Sequence, residues 1–415
     1  MKKIIYLLAG ALAAMAIVPQ ASAVPGYSRQ TALACNACHY QSFPALNELG
    51  RSFKAGGYTM MGTQKRIEGS EGLSLPETLN AGVVTKIRYQ KSNGATVANT
   101  NTTNDGELQF PDELLLMVGG RVSENIGAQL ELNLKGQKAE PVLENFKMPF
   151  IYDVSGIKAG VIPFTTAGQG VAYGFELLNT GAVRGARIME ARKTFSAQQY
   201  IGTGSAAEGV AVVASNSMFF ANISKWSPRG VGASTTSSTY KTGAPTANYV
   251  RLALTPKVGS WDTGVGVQSW SGSATKPDQT PVETKAYAID AQAQGEVGAM
   301  PLGIYLTYAN AGASDQTAGV IKNFFNANVN AMTAATIAGQ LGVVPGRATL
   351  LMAYRKGDTG AAANSGDNSL MIGGTYLMEQ NVQLQLNHEM FSGSKYDLVQ
   401  VYGDRLTTLM LFASF

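Results

Sequence analysis

The chain is poor in several residue types that most proteins of its length use freely. Its 415 residues include only 2 cysteines and 2 histidines, and charged residues make up 14% of the chain. A soluble globular domain usually carries about 25% charged residues. The formal net charge is +4 and no basic cluster occurs, which argues against a nucleic-acid-binding protein. With so few histidines, a metal site built from several imidazole ligands is excluded.

Long apolar runs are also absent beyond the N-terminus. Lys2-Lys3 precede an apolar run from Ile4 to Val18, and Ala21-Ser22-Ala23 follows as a small-residue cleavage site. This order is typical of a secretory signal peptide, and the run is shorter than the ~20 residues that a membrane-spanning helix needs. We therefore predict a signal peptide over residues 1–23 and an exported mature chain.

Both cysteines lie in one short motif, Cys35-Asn36-Ala37-Cys38-His39. C-x-x-C-H is the attachment motif of c-type haem, in which each cysteine forms a thioether and the histidine ligates the iron. A disulfide between Cys35 and Cys38 is the alternative, but it would leave the histidine unexplained. The motif predicts one covalently bound haem c with His39 as the proximal iron ligand.

After residue 77 the chain alternates apolar and polar residues with a period of two. The alternation is clear over residues 127–135, 285–294 and 381–387. In segments of about ten residues it is typical of an outer-membrane β-barrel, with an apolar face toward lipid and a polar face toward the lumen. A soluble β-sandwich has the same period, but it does not favour so many strands long enough to cross a membrane. We predict an all-β, antiparallel transmembrane barrel over residues 78–415.

Turn-forming residues predict the number of strands. Seven short turns alternate with about eight longer polar stretches, which predicts sixteen strands, with short periplasmic turns and both chain ends in the periplasm. Without the turn at Val344 to Gly346 the number would be fourteen. The short turns are predicted at residues 123–125, 153–156, 215–217, 256–260, 296–300, 344–346 and 378–381.

The segment of residues 24–77 precedes the barrel and is too short to bury much surface by itself. Ser42 is placed to cap a helix with Pro44 in its first turn, and Gly56-Gly57 would end that helix. Because a sixteen-stranded barrel has a wide lumen, we expect this segment to plug the periplasmic mouth; a domain hanging below the barrel is the alternative. The residues expected to pack on the haem are Phe43, Leu46, Phe53 and Tyr58.

Residues 35–58, followed by a porin-length β region, resemble the fused monohaem cytochrome–porin family of outer-membrane iron oxidases from iron-oxidising bacteria. The motif likeness rests on residues 35–58, whereas the likeness in architecture covers the whole mature chain. The resemblance implies that Cys35 and Cys38 carry the haem and that His39 is its proximal ligand. It also implies that Fe(II) is oxidised and that a periplasmic c-type cytochrome accepts the electron.

The sixth iron ligand is predicted from proximity along the chain. Met60 or Met61 follows the predicted helix by a few residues and could loop back over the haem. Methionine ligation raises the haem potential, which suits an acceptor of electrons from iron. The other histidine, His388, shares the parity of the apolar residues on its strand, so we expect it on the lipid side of the barrel.

Charged residues supply weaker hypotheses. Lys54 and Arg51 could pair with the haem propionates, although a solvated helix face is the alternative. Acidic residues in and just after the polar stretch of residues 91–111 offer oxygen ligands that bind divalent iron weakly. The alternative is that these side chains are only solvated. A charged run in the stretch of residues 164–206 could line the lumen, as the inward-folded loop of a porin does. The acidic residues are Asp105, Glu107, Asp112 and Glu113; the run is Arg184, Arg187, Glu190, Arg192 and Lys193.

Three functions are compatible with these patterns. The leading hypothesis is an outer-membrane electron-transfer protein that oxidises extracellular Fe(II) at a c-type haem. The second keeps the haem and the barrel but serves another extracellular electron donor or acceptor. The third is a passive diffusion porin in which C-x-x-C-H is incidental.

Overall fold

A closed antiparallel β-barrel dominates the fold. The computed structural model describes residues 25–94, 104–135, 142–180, 196–229, 244–397 and 403–415. The strands are β1 Arg66–Glu68, β2 Ser74–Pro76, β3 Ala81–Ser92, β4 Glu107–Arg121, β5 Gly127–Asn133, β6 Val142–Lys147, β7 Phe150–Val154, β8 Ile157–Thr166, β9 Ala207–Ser215, β10 Phe219–Pro228, β11 Ala247–Leu254, β12 Lys257–Val258, β13 Trp261–Ser271, β14 Ser273–Thr275, β15 Pro281–Glu283, β16 Ala286–Val297, β17 Met300–Ala311, β18 Met332–Val344, β19 Ala348–Asp358, β20 Asn368–Glu379, β21 Val382–Ser392 and β22 Arg405–Ser414.

The helices are few and short. They are α1 Pro25–Thr31, α2 Cys35–Cys38, α3 Glu48–Ala55, α4 Ala197–Tyr200 and α5 Ser394–Asp397, with 3₁₀ turns at Ser70–Gly72 and Val171–Tyr173. Within the described ranges, no helix combines the length and the apolar character that a membrane crossing requires.

The barrel has sixteen strands. Two of them are interrupted, between β6 and β7 at Met148-Pro149 and between β11 and β12 at Thr255-Pro256. In each case the two segments pair with the same neighbouring strand. Proline cannot donate to a β-ladder, which explains the breaks. The barrel closes where β22 pairs with β3, and the short β1–β2 and β14–β15 pairs lie outside it.

All seven predicted short turns connect consecutive barrel strands. The turn at residues 344–346 joins β18 to β19, so the prediction of sixteen strands rather than fourteen is confirmed. The division of the chain at residues 23 and 77 stays a prediction.

The two faces of the barrel wall differ as the alternation predicts. On β16, Ile289 is 50% exposed while the neighbouring Asp290 is only 2% exposed. On β11, Leu252 is 49% exposed and Arg251 is fully buried. A soluble protein buries its apolar residues and exposes its charges, so this inverted pattern is that of a wall with an apolar outside and a polar lumen.

The prediction for His388 is confirmed by its place on this wall. It shares the outer face of β21 with the exposed Leu386, and its Nδ1 lies 2.9 Å from the hydroxyl oxygen of Thr407 on β22. It therefore does not face the lumen.

The segment before the barrel lies inside the lumen, at the end that carries the short turns. Arg51 forms two 2.7 Å hydrogen bonds with Asp262, just after the turn into β13. The Tyr40 hydroxyl donates to the Gly295 carbonyl oxygen (2.7 Å) near the β16–β17 turn. The structure thus gives the plug arrangement rather than a hanging domain, and we call residues 25–62 the plug segment. That this end faces the periplasm stays a prediction.

The predicted helix start at Ser42 is wrong. Helix α3 begins at Glu48, and its cap is Asn47, whose side chain accepts a 3.0 Å hydrogen bond from the Gly50 backbone N–H. Residues 40–45 form a tight loop closed by a 2.8 Å backbone hydrogen bond between its ends, so the chain cannot be helical there. The predicted stop at Gly56-Gly57 is correct.

The connection between β8 and β9 also enters the lumen. Its described parts, residues 167–180 and 196–206, are called the inward segment here. Phe175, Leu178 and Ile201 are buried against the inner wall. The charged run predicted at residues 184–193 lies outside the described residues.

Candidate functional site

A large cavity lies between the plug segment, the inward segment and the wall strands β3 to β6. Its empty space is about 1610 Å³, including the part that opens to solvent. Cys35, Cys38 and His39 all line it. The C-x-x-C-H motif therefore faces a space inside the barrel that is partly open to solvent.

The two cysteines are arranged by helix α2, a single turn. Residues three apart lie on the same face of a helical turn, and both cysteine residues border the cavity. No disulfide joins them, and Cys35 Sγ lies 3.5 Å from the hydroxyl oxygen of Ser28. Burial raises the pKa of the Cys38 thiol. Both cysteine residues thus border the cavity, and neither is used in a disulfide.

His39 is oriented by the loop that follows it. Its Nδ1 lies 3.2 Å from the carbonyl oxygen of Ala45. Because a carbonyl oxygen only accepts, Nδ1 carries the proton and the lone pair is on Nε2. This is the usual orientation of an imidazole metal ligand, which donates its other N–H to a backbone carbonyl. The barrel encloses the ring, although part of it faces the cavity, and burial lowers the pKa of His39 to about 4.

The four residues predicted to pack on the haem are brought together. Phe43, Leu46, Phe53 and Tyr58 all line the cavity. Tyr27 of helix α1 also lines it, with its ring 5.1 Å from that of Phe53 and 5.2 Å from that of Tyr58. Tyr27 was not predicted from the sequence as a lining residue. The only signal for it was its short distance along the chain from the motif.

Helix α3 approaches the motif closely at Gly50, which also lines the cavity. A Cβ atom at this position would overlap the carbonyl oxygen of Cys38. Glycine at residue 50 is therefore required by the close packing of α3 on α2.

The two methionines predicted as the sixth ligand do not line the cavity. Met60 is 37% exposed, and its carbonyl oxygen accepts a 2.8 Å hydrogen bond from the Gln30 side chain. Among the described residues, the methionine that does line the cavity is Met117 of strand β4. Sequence reasoning missed it because it lies far from the motif along the chain.

Three lysines line the cavity, of which Lys86 on β3 is paired with Glu113. Lys54 belongs to the plug segment, whereas Lys147 belongs to β6 and is only 3% exposed. Lys147 Nζ donates to the backbone carbonyl oxygen of Tyr173 (3.0 Å). It also lies 4.2 Å from the centroid of the Tyr173 ring. Burial lowers the pKa of Lys54, and nearby carboxylates act in the opposite direction. Arg51 is engaged with Asp262 instead, so its predicted role at the propionates has no support from the geometry.

The predicted acidic iron ligands do not form a cluster. Asp112 pairs with Arg88 at 2.6 Å, and Glu113 pairs with Lys86. Both ion pairs join the neighbouring wall strands β3 and β4. Across the described ranges, no group of three or more His, Cys, Asp or Glu side chains is placed to hold a metal ion.

Comparisons with known proteins concern the barrel. No family model matches the chain, and no curated protein matches its sequence. One similar solved structure is the outer membrane channel DcaP of Acinetobacter baumannii, with a TM-score of 0.52, 11% identity, and coverage of 81% of this chain and 97% of that one. The barrel has the fold of outer-membrane porins.

Two further porin structures are similar to a lower degree. Salmonella typhi OmpF has a TM-score of 0.49 and 12% identity. The match covers 85% of this chain and 100% of the OmpF chain. A mutant of the Rh. blastica porin has a TM-score of 0.48 and 12% identity. The match covers 81% of this chain and 100% of the porin chain. At these identities the likeness concerns the fold alone.

Proposed function

We propose that this protein is an outer-membrane electron-transfer protein that oxidises Fe(II) with a covalently bound haem c. The observation that carries the proposal is the cavity: a C-x-x-C-H motif faces a large space inside a porin-type barrel, and the aromatic side chains of the plug segment line that space beside it. A chance motif would need neither an oriented imidazole nor a space of this size beside it.

The residues around the cavity fit a haem. Cys35 and Cys38 would form the two thioethers, and His39 would supply Nε2 to the iron. Lys54 and Lys147 would hold the propionates, because ammonium groups bind carboxylates well where water is scarce. Phe43, the other apolar plug residues and Leu115 of the wall would pack against the macrocycle. A bound haem supplies a one-electron redox centre.

The contents of the lumen favour the passage of electrons over the passage of solutes. The plug segment is tied to the wall at the short-turn end, and the inward segment lies above it. Asn179 joins the two, since its Oδ1 accepts from the Leu46 N–H (2.7 Å) and its Nδ2 donates to the Leu46 carbonyl oxygen (2.9 Å). An electron needs no open path through these layers, whereas a solute does.

In this scheme the barrel lies in the outer membrane, with its short turns and both chain ends in the periplasm. An Fe(II) ion gives up one electron on the outer side and leaves as Fe(III). A periplasmic c-type cytochrome accepts that electron from the short-turn end. The iron never crosses the membrane, so insoluble Fe(III) does not accumulate in the periplasm.

The test is anaerobic stopped-flow mixing of the oxidised protein with Fe(II). We expect the haem absorption bands to change to those of the reduced form. The Cys35→Ala/Cys38→Ala double variant should lose the covalent haem stain of the denatured protein. Dithionite reduction serves as the control for a reducible haem. A haem that dithionite reduces and Fe(II) leaves oxidised would contradict iron as the donor and favour another extracellular partner.

A passive diffusion porin is the second candidate. It is favoured by the fold, because the similar DcaP structure is described as an outer membrane channel. A wild-type protein without haem stain would support this candidate and overturn the first.

A further inference from the structure

We propose that Met117, a residue of the barrel wall, is the sixth ligand of the haem iron. This inference rests on the proposed function in one respect, namely that a haem c is attached at Cys35 and Cys38. It differs from the sequence-based assignment to Met60 or Met61, and it assigns an iron ligand to the barrel itself.

The cavity offers few side chains that could complete a low-spin haem. Apart from the motif, the described lining residues with a sulfur or nitrogen donor suited to this are Met117, Lys54, Lys86 and Lys147, and Lys86 is held in an ion pair with Glu113. The carboxylates and tyrosines of the lining are hard oxygen donors. Met60 and Met61 are not part of the lining, and His388 lies on the outer face of the wall.

Met117 is positioned by the register of three strands. It pairs with Gly82 of β3 on one side and with Glu131 of β5 on the other. Glycine adds no side chain beside the thioether on the β3 side. Met117 shares its strand face with Leu115, and both residues line the cavity.

The same part of the wall contacts the motif through Phe43. The buried cluster of Val84, Leu115, Met410 and Phe412 is packed against both Met117 and Phe43. The Phe43 ring stacks on that of Phe412 at 5.0 Å, and it lies 5.3 Å from the His39 ring. His39 from the plug and Met117 from the wall therefore approach one cavity from elements that pack on each other.

The lysines are less suitable ligands. Lys147 already donates to the Tyr173 carbonyl oxygen, and Lys54 is attracted by the carboxylates of Glu176 and Glu131. An ammonium group must lose a proton before it can bind iron, whereas the methionine thioether needs no such step. Lys54 and Lys147 are better suited to the propionates.

A ligand from the wall makes iron ligation dependent on the assembled barrel. The haem spectrum then reports whether the plug segment is seated. A ligand at residue 60 or 61, within the same segment as the motif, would report nothing of this kind.

The test compares full-length methionine variants by three properties: the sulfur-to-iron charge-transfer band of the ferric protein, its spin state and its midpoint potential. We expect Met117→Ala to lose the band and to bind added imidazole readily. Met117→His should restore a low-spin haem at a lower potential, because methionine ligation raises it. Met410→Ala is the matched control, since Met410 is buried at 1% exposure in the same cluster but does not line the cavity.

The assignment is overturned if the band survives Met117→Ala, if it is absent from the wild type, or if it is lost in Met60→Ala or Met61→Ala instead. Folding is checked by the gel mobility of unheated samples, and Met117→Leu provides a second variant that keeps the volume. A wild type without covalent haem would overturn the proposed function as well, whereas haem with an unaffected Met117 variant overturns this ligand alone.

Discussion

Lys54 and Lys147 are far apart in the chain but line the same cavity. One comes from the plug segment and the other from the barrel wall. The Glu131 carboxylate also lies near both lysines, and buried charges are stabilised by such pairing. Two propionates would give both ammonium groups further acceptors.

We expect Lys54→Gln and Lys147→Gln each to lower the haem midpoint potential. A nearby positive charge stabilises the reduced haem, which carries one positive charge fewer. The expected shift is about 59 mV, which is a tenfold change in the equilibrium constant of a one-electron couple. Potentiometric titration measures it, with the exposed Lys356→Gln as the control. Unchanged potentials in both cavity variants would contradict the propionate assignment.

At the scale of elements, helix α3 packs directly on helix α2, the single turn that carries Cys35 and Cys38. Gly50 allows this contact, and Asn47 begins the helix directly after the loop that orients His39. The helix is only eight residues long, so its stability depends on packing inside the barrel rather than on helix propensity.

Gly50→Ala should loosen the plug segment, because the added methyl group overlaps the Cys38 carbonyl oxygen and the two helices must separate. Overpacking of this kind costs about 1–3 kcal/mol. Hydrogen–deuterium exchange over residues 25–62 should become about tenfold faster or more. Gly339→Ala is the control, since a Cβ there meets nothing within 4 Å. Equal exchange in the two variants would disprove the close contact.

At the scale of the whole molecule, a barrel wide enough to be a channel is occupied from within. The inward segment is tied to the wall by Arg251, which is fully buried and pairs with Glu176 (3.0 Å) and Asp290 (2.7 Å). The plug segment is tied by Arg51 and Asp262. The pairs Arg251–Glu176 and Arg51–Asp262 each join a segment inside the lumen to the wall, so they hold these segments in place.

Wild-type protein in planar bilayers should conduct ions poorly, and Arg51→Gln or Asp262→Asn should raise the conductance. Removing one partner of a mostly buried pair leaves an uncompensated charge and costs about 3–5 kcal/mol. The double variant should conduct less than either single variant. Lys257→Gln is the matched control, because its pair with Glu48 also joins the plug to the barrel but is mostly exposed. An openly conducting wild type that no substitution changes would favour the diffusion porin.

The local features of this protein were predictable from its sequence. Alternation on β16 and the turn residues at 344–346 act on their immediate neighbours, so the strand faces and the number of strands follow from short windows. The C-x-x-C-H motif is likewise contiguous, and the residues that face the cavity with it, such as Phe43 and Phe53, lie within one short segment.

The tertiary structure alone decided which distant residues meet at the motif. Met117 lies on the second barrel strand and Lys147 at the end of the fourth segment, β6, and only the register of β3 to β6 turns them toward the plug. The same long-range pairing places Asp112 beside Arg88 rather than in a loop, and the tight loop closed inside the barrel moves the helix start from Ser42 to Asn47. Barrel closure acts between residues far apart in the chain, and a sequence pattern that repeats every second residue carries no information about which strands face a plug.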